Sequence, residues 1–497
     1  MLRPAAALLL LLAACASAPP PSPVSGAPKM YILLWFDTED YLLPASDDAA
    51  LRLAEFLTKE GVPTTFKVVG EKARTLERRG RRDVIDALKK HEIGYHSNWH
   101  SVHPTPAQYL STLGWDEGVE EFIRREGPGV EDVKRIFGQA PSCYGQPGSS
   151  WGPQSFGAMR KLGIPVYLDS GSHVDFDRGP LWYCGILTLF RLEYTLRTGL
   201  GGAEEFEKAK KNFSAAREKL LKDGGGAAHI FYHPCEWVHK QFWDGVNFAD
   251  GANPPREEWK LPPQKSAEET RVAFETFEAY IRWIKTFPDV KFITARDALK
   301  LYEDRSRGLV WDDCDLQRMS NFENDEVHGG GGVAASEIFC LLNQRLLKQG
   351  LLPHSQQRTS LSLAETPLGP TGVPTVMAGP VKATWSQVMR TAADVQAYVE
   401  RHGRIPNTVW LGSTGVTPES YLVALGNLLP YLIREELPRE VEFRPAKLLA
   451  EKFVAQDSPK IWGWLFPKGF HAPEMMELAR HQAWTIKYAV PHPEALK

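Results

Sequence analysis

The stretch Met30-Tyr31-Ile32-Leu33-Leu34-Trp35-Phe36-Asp37-Thr38-Glu39-Asp40 decides how the rest of the chain is read. A nearly unbroken apolar run is the mark of a parallel strand buried on both faces, and here three carboxylates follow it within four positions. Charges so close repel one another, and a divalent cation or a shared proton relieves that repulsion. A solvated loop that caps the next helix is the plainer alternative.

Outward from this stretch, short apolar runs alternate with amphipathic helical segments. A helix is predicted over 49–59, where Leu51, Leu53, Ala54, Phe56 and Leu57 supply the apolar residues and Gly61 the stop. Strands are expected over 64–69, 92–95, 165–168, 228–232 and 290–294, and helices over 83–90, 153–162, 267–286 and 295–302. Such β-then-α repetition predicts an α/β fold, either a barrel or an open doubly wound sheet. No G-x-G-x-x-G loop follows the first strand, which disfavours a dinucleotide site.

The chain has 497 residues, 43% hydrophobic and 24% charged, enough for two or three domains. Its 58 Lys plus Arg against 61 Asp plus Glu leave a net charge of -3 and no long like-charged block, so nucleic-acid binding has no support in composition. Beyond Arg305 the pattern changes. Residues 312–332 are polar and end in four glycines, 335–349 predicts a helix, 366–380 is rich in Pro and Gly, and 381–435 and 445–488 look helical. The expected division is 1–28 leader and tether, 29–304 catalytic unit, 305–380 linker and helical segment, and 381–497 mainly helical accessory region.

The first 28 residues have the shape of an export signal: Arg3, an apolar run over 5–14 too short to span a bilayer, small residues, then a Pro-rich tether. Ala16-Ser17-Ala18 is one candidate cleavage site, with Pro19 awkwardly after the cut. Leu12-Ala13-Ala14-Cys15 resembles the bacterial lipobox, which implies lipid on Cys15, export to the cell envelope and a membrane anchor. Setting Cys15 aside leaves Cys143, Cys184, Cys235, Cys314 and Cys340, with no C-x-x-C pair to indicate a zinc ribbon or redox motif.

Three segments place polar residues just after an apolar strand, where α/β barrels build their sites. The first is Asp37 to Asp40. The second is His96-Ser97-Asn98-Trp99-His100, whose two His four apart would share one face of a helical turn and reach one metal. The third is Phe231-Tyr232-His233-Pro234, where His233 is a candidate general acid.

Together and in this order the three resemble the motifs of the polysaccharide deacetylases, carbohydrate esterases built on a distorted (β/α)7-type, TIM-like barrel. H-S-x-x-H is the most specific element, and the resemblance runs from about Met30 to Leu301. It implies a metal-dependent deacetylase acting on a glycan of the cell envelope or extracellular space. A divalent metal, usually Zn2+, would be held by His96, His100 and either Glu39 or Asp40, with Asp37 as general base and His233 as general acid. Tyr144-Gly145-Gln146-Pro147-Gly148 and Tyr167-Leu168-Asp169-Ser170 resemble the middle of the domain, which implies Tyr144, Gln146 and Pro147, with Trp99, as substrate contacts. Family members carry an Arg that orients the base; Gly145 stands at that position here. Hydrolysis of another C–N bond, as in a cyclic amide, and glycan binding without turnover are therefore alternatives. A further stretch, Gly403-Arg404-Ile405-Pro406-Asn407-Thr408-Val409 with the helices around it, resembles a pseudomurein-binding-type repeat, implying a glycan- or wall-anchoring module.

Overall fold

The computed structural model describes residues 29–330, 332–349 and 361–496; the expected leader, with Cys15, lies outside them, as does Gly331. Nine strands lie in the first 300 residues: β1 (Met30–Thr38), β2 (Thr65–Val68), β3 (Glu92–Tyr95), β4 (Cys143–Tyr144), β5 (Val166–Leu168), β6 (Leu181–Tyr183), β7 (Ile186–Leu189), β8 (Gly226–Tyr232) and β9 (Val290–Ile293). They form one sheet in the order β6-β7-β5-β4-β3-β2-β1-β8, with β9 also on β1 and the short strand Lys487–Tyr488 on β6. All pairs are parallel except those made by β6. The chain leaving β7 returns to β8, where Thr195 bridges His229 and Leu196 N–H donates to the His229 carbonyl at 2.9 Å. The sheet thereby curls as a distorted half-barrel.

Every residue of β1 is buried, because β8 covers one edge, β2 and β9 share the other, and both faces are packed. Alternation sorts its side chains. Tyr31, Leu33 and Trp35 join Cys143, Val166, Leu168, Leu187 and Leu189 in one cluster, the barrel interior. Met30, Ile32, Leu34 and Phe36 join Leu53, Leu57, Phe277 and Ile281 in the cluster beneath the helices. Burying each large side chain contributes about 1.5–3 kcal/mol. A charge in place of Leu34 would break this layer, since the site offers it no partner.

The helix expected over 49–59 begins earlier, at Pro44–Glu60, because Pro44 fits a first turn whose N–H needs no partner; it ends at Gly61, which takes φ 65°. The 23-residue helix Trp115–Phe137 had no counterpart in the sequence reading, and it carries Gly127-Pro128-Gly129 in its interior. Tertiary contact explains the glycine: a Cβ on Gly129 would lie 2.5 Å from the Tyr95 hydroxyl and 2.8 Å from Asn98 Oδ1.

The region after residue 305 is helical in its longer elements (Ala335–Leu347, Trp385–His402, Pro418–Arg434), but it also carries strand pairs that the helical reading did not foresee. Val381–Thr384 pairs with Glu440–Phe443, and Val409–Leu411 with Thr414–Val416. It is fastened to the barrel by buried polar bonds as well as by the Lys487–Tyr488 strand. Lys487 Nζ, 4% exposed as a residue, meets Asp304 Oδ1 at 2.7 Å and Glu337 Oε1 at 2.8 Å. In the repeat-like stretch, Arg404 pairs with Asp116 on the barrel's long helix at 2.6 Å, and Asn407 Oδ1 accepts from Thr371 and Gly372 N–H groups at 3.0 Å. These two residues have structural partners on the barrel and the 371–372 segment. Cys143, Cys184, Cys235 and Cys340 are buried thiols. Among the described residues no helix is long and apolar enough to cross a membrane.

Candidate functional site

The alternation that places Tyr31, Leu33 and Trp35 inside the barrel carries Asp37 and Glu39 to the same face at the strand's end, and turns Asp40 to the other. Asp40 Oδ1 accepts the Leu42 N–H at 2.8 Å, and Oδ2 lies 3.6 Å from His239 Nε2. Glu39 Oε2 instead lies 2.8 Å from His100 Nε2 and 3.7 Å from His96 Nε2. Of the two carboxylates left open by the sequence, Glu39 stands with the histidines and Asp40 does not.

His96 and His100 meet with their Nε2 atoms 3.2 Å apart, though not on a helical turn. Residues 96–100 form an irregular bend in which Ser97 and His100 take φ 65° and 54°, a region costly for residues other than glycine. Ser97 Oγ steadies the bend by accepting the His100 N–H at 3.1 Å.

The ring protons can be placed from the neighbours. His96 Nδ1 lies 3.0 Å from the Gly145 carbonyl, which can only accept, so Nδ1 carries the proton and Nε2 a lone pair. His100 Nδ1 lies 2.8 Å from Ser101 Oγ, which spends its own hydrogen on Asp244 Oδ2 at 3.0 Å, so Nδ1 is again the donor. With a cation bound, both Nε2 lone pairs and the Glu39 carboxylate would face it, in a site where all three residues are at most 4% exposed. Glu39 Oε1 is buried without a hydrogen-bond partner. Three such ligand atoms within 4.8 Å of one another fit a divalent cation, with a backbone carbonyl behind His96 and a hydroxyl behind His100 orienting the rings. Without one, a proton on His100 Nε2 serves: burial would lower its pKa, but Glu39 outweighs burial and raises it.

Asp37, His96 and Asp169 form a second such group, but Lys67 already fills it. Lys67 points inward from β2, where its backbone pairs with Asp37. Its Nζ lies 2.9 Å from Asp37 Oδ1 and 3.0 Å from Asp169 Oδ2, and donates to the Leu168 carbonyl at 2.8 Å. Gly145 makes room for it: a Cβ there would stand 2.1 Å from Nζ. The ammonium thus occupies the space beside Asp37 at the position where the sequence comparison missed an Arg. Burial would lower the Lys67 pKa, yet Asp169 and Asp37 outweigh it and raise it. Burial would raise the Asp37 pKa, and His96, Lys67 and His233 together hold it below its usual value.

His233 closes the other side. Its Nε2 lies 3.7 Å from Asp37 Oδ2 and 3.9 Å from Glu39 Oε2, while Nδ1 bonds Glu236 Oε1 at 2.9 Å. Burial works against its charge, but Glu39, Glu236 and Asp37 push its pKa up to about 9, so it carries a proton at neutral pH. The separations between its Nε2 and the two carboxylates are longer than a direct hydrogen bond.

The structure therefore brings Asp37, Glu39, His96, His100 and His233 together. Of the expected substrate contacts, only Trp99 is exposed, at 43%. Tyr144 points out of the barrel between Phe122 and Tyr167, because it alternates with the inward Cys143 and Gly145. Gln146 Oε1 accepts from the Tyr167 hydroxyl on that same outer side, and Pro147 is buried. Sequence reasoning assigned no role to Lys67, Asp169, Glu236 or Asp244. Two of them carried a signal: Lys67 as the one charge inside the strand Thr65–Val68, and Asp169 as the carboxylate directly after the strand Val166–Leu168.

No family model matches this sequence, and no curated protein matches it. Solved structures similar to it include a Mycobacterium smegmatis protein assigned as a polysaccharide deacetylase, with 17% identity, 56% of this chain and 92% of that one covered, and TM-score 0.37. Puue allantoinase covers the same shares at 14% identity and TM-score 0.36. The Bc1960 peptidoglycan N-acetylglucosamine deacetylase covers 54% of this chain and 87% of its own at 15% identity and TM-score 0.30. Likenesses this weak carry no information about substrate, so the chemistry must come from the cluster's own atoms.

Proposed function

We propose that the protein is a metal-dependent hydrolase that removes acetyl groups from a glycan, with water as co-substrate and an amine and acetate as products. The observation that carries this reading is the convergence of two imidazole Nε2 atoms and a carboxylate with one buried, unpartnered oxygen beside an ionised Asp and a protonated His. Glu39, His96 and His100 are the proposed ligands. A divalent cation held there would polarise the acetyl carbonyl and the attacking water.

Asp37, kept ionised by Lys67, takes a proton from the water as its oxygen bonds to the carbonyl carbon. His233 enters the reaction protonated and delivers its proton to the departing nitrogen as the C–N bond breaks. Glu236 keeps the ring turned so that Nε2 faces the site. Lys67 and Asp169 act through Asp37 and are positioning residues. The Lys67 ammonium beside Asp37 supports the reading with turnover over glycan binding alone.

The proposed setting is the cell envelope, with the protein exported and tethered through lipid on Cys15. Metal content measured together with acetate release from N-acetylglucosamine oligomers tests the assignment. Stoichiometric divalent metal and acetate release are expected. Turnover that survives complete chelation, or metal retained after both His96→Ala and His100→Ala, would overturn it.

A further inference from the structure

Residues 453–467 belong to the C-terminal third of the chain, yet they lie on the barrel face that carries the cluster. Val174, in the loop after β5, bridges Val454; the Asp175 N–H donates to the Phe453 carbonyl and the Ala455 N–H to the His173 carbonyl, both at 2.9 Å. The Trp462 ring stands 4.9 Å from that of His173. Gly463 lies against Ser149, in the loop after β4, so closely that a Cβ would be 3.0 Å from Oγ. The Trp464 carbonyl accepts from Asp250 N–H at 2.8 Å, in the long loop after β8 that also supplies Asp244 behind His100. One stretch thus spans loops from three parallel strands, all leaving the sheet at the end where Asp37, His96 and His233 stand.

Within Trp462-Gly463-Trp464-Leu465-Phe466 the burial is uneven. Trp462, Leu465 and Phe466 are at most 2% exposed, whereas Trp464 is 43% exposed. The backbone that turns it out is built for the purpose, with Gly463 at φ 74°. An exposed Trp forgoes the burial that its three neighbours gain. Two other exposed aromatics stand on loops of the same face: Trp99, between the two histidines in sequence, and Phe242, whose ring meets that of His233 edge-on at 4.7 Å. The apolar C–H face of a pyranose matches a flat indole, while its hydroxyls remain free for water.

We infer that Trp464 is a stacking platform for a sugar ring of the substrate, remote from the reacting acetyl group, on a rim shared with Trp99 and Phe242. The C-terminal region is then part of the substrate cleft. This rests on the glycan reading above and specifies its binding geometry. It also gives the Trp462–Phe466 turn a function that core packing does not explain.

The test uses the full chain carrying Trp464→Ala or Trp464→Tyr, with N-acetylglucosamine monomer, tetramer and hexamer and a small aryl acetate as substrates. Trp464→Ala is expected to raise KM for the hexamer about tenfold, while kcat and aryl acetate turnover stay within about twofold. Trp464→Tyr is expected to restore most of the loss. An unchanged hexamer KM overturns the inference, and so does an equal loss on aryl acetate and hexamer, which marks a structural role. Hexamer binding followed by indole fluorescence separates this from the activity. An affinity unmoved by Trp464→Ala refutes the platform even where the wild type releases no acetate, and absent binding to the wild type refutes platform and glycan reading together.

Discussion

Replacing Lys67 by Met keeps the side chain's length and removes its charge. Asp37 and Asp169, each within 3.0 Å of the ammonium, would then face one another with nothing between them, in a site where Lys67 is 0% exposed. Removing one partner of a buried pair costs about 3–5 kcal/mol, a large share of the about 5–15 kcal/mol that holds a typical protein folded. A proton taken up by the carboxylate pair relieves part of that cost. Protonation of the pair disables the base, so turnover at pH 7 should fall by ~100- to 10,000-fold. Because the loss comes from a raised Asp37 pKa, activity should recover partly as pH rises, moving the acid limb of the pH–rate profile upward. Metal should remain, since the bonds of Lys67 go to Asp37, Asp169 and the Leu168 carbonyl rather than to the proposed ligand atoms of Glu39, His96 and His100. Acetate release from pH 5 to 10, metal analysis and a thermal melt read all three effects. Near-normal turnover with an unmoved acid limb would refute the positioning role, and loss of metal with activity would show that the substitution had collapsed the site.

Asp37→Asn should keep the metal and lose most activity, whereas Glu39→Gln should weaken metal binding; metal analysis beside acetate release separates them. Titrating zinc into the metal-free protein at pH 6.5 should release protons, because a His100 pKa raised above 6.5 leaves that ring mostly protonated there; isothermal titration in buffers of different ionisation heat reads this, and zero release would contradict a protonated His100 beside Glu39. His173 is fully buried, and burial lowers its pKa from 6.5 to about 3. The unfolded chain takes up that proton first, so stability should decline as pH falls from about 6.5 towards 3, by up to ~1.4 kcal/mol per pH unit. His173→Gln should flatten the melting temperature between pH 7 and 5, and an unchanged slope would assign the acid sensitivity elsewhere. Lys487→Met leaves Glu337 and Asp304 without their buried cation and should destabilise by about 3–5 kcal/mol, seen as a lowered melting temperature with wild-type metal content.

The parallel β1, its flanking strands and the three polar segments were legible locally, because a strand buried on both faces must be apolar and a site at its end must then interrupt that pattern. Local periods also located Pro44–Glu60, Arg82–Leu88, Gln154–Leu162, Ala267–Ile284 and Ala295–Leu301, and missed Ala203–Lys222 and Trp115–Phe137; in the latter, close contact with Tyr95 and Asn98 accounts for a glycine inside a helix. Alternation along β1 separates Glu39 from Asp40, though only once the inward face is known. The cation beside Asp37 could not be found at its aligned position: it comes from β2, 30 positions along the chain from Asp37, and register with β1 sets it there while a missing Cβ at Gly145 makes room. The pairing of Lys487 with Asp304 and Glu337, and the placement of 453–467 over the loops after β4, β5 and β8, join residues hundreds of positions apart. Sequence by itself located β1, β2, β3, β5, β8 and β9 and where chemistry can sit, since those follow from side-chain period and strand ends, while the short strands β4, β6 and β7 and the C-terminal pairs offer too few residues to show a period. Which groups meet depended on the tertiary structure, because contact between distant residues is set by strand order, register and the shape left by neighbours, none of which a local pattern encodes.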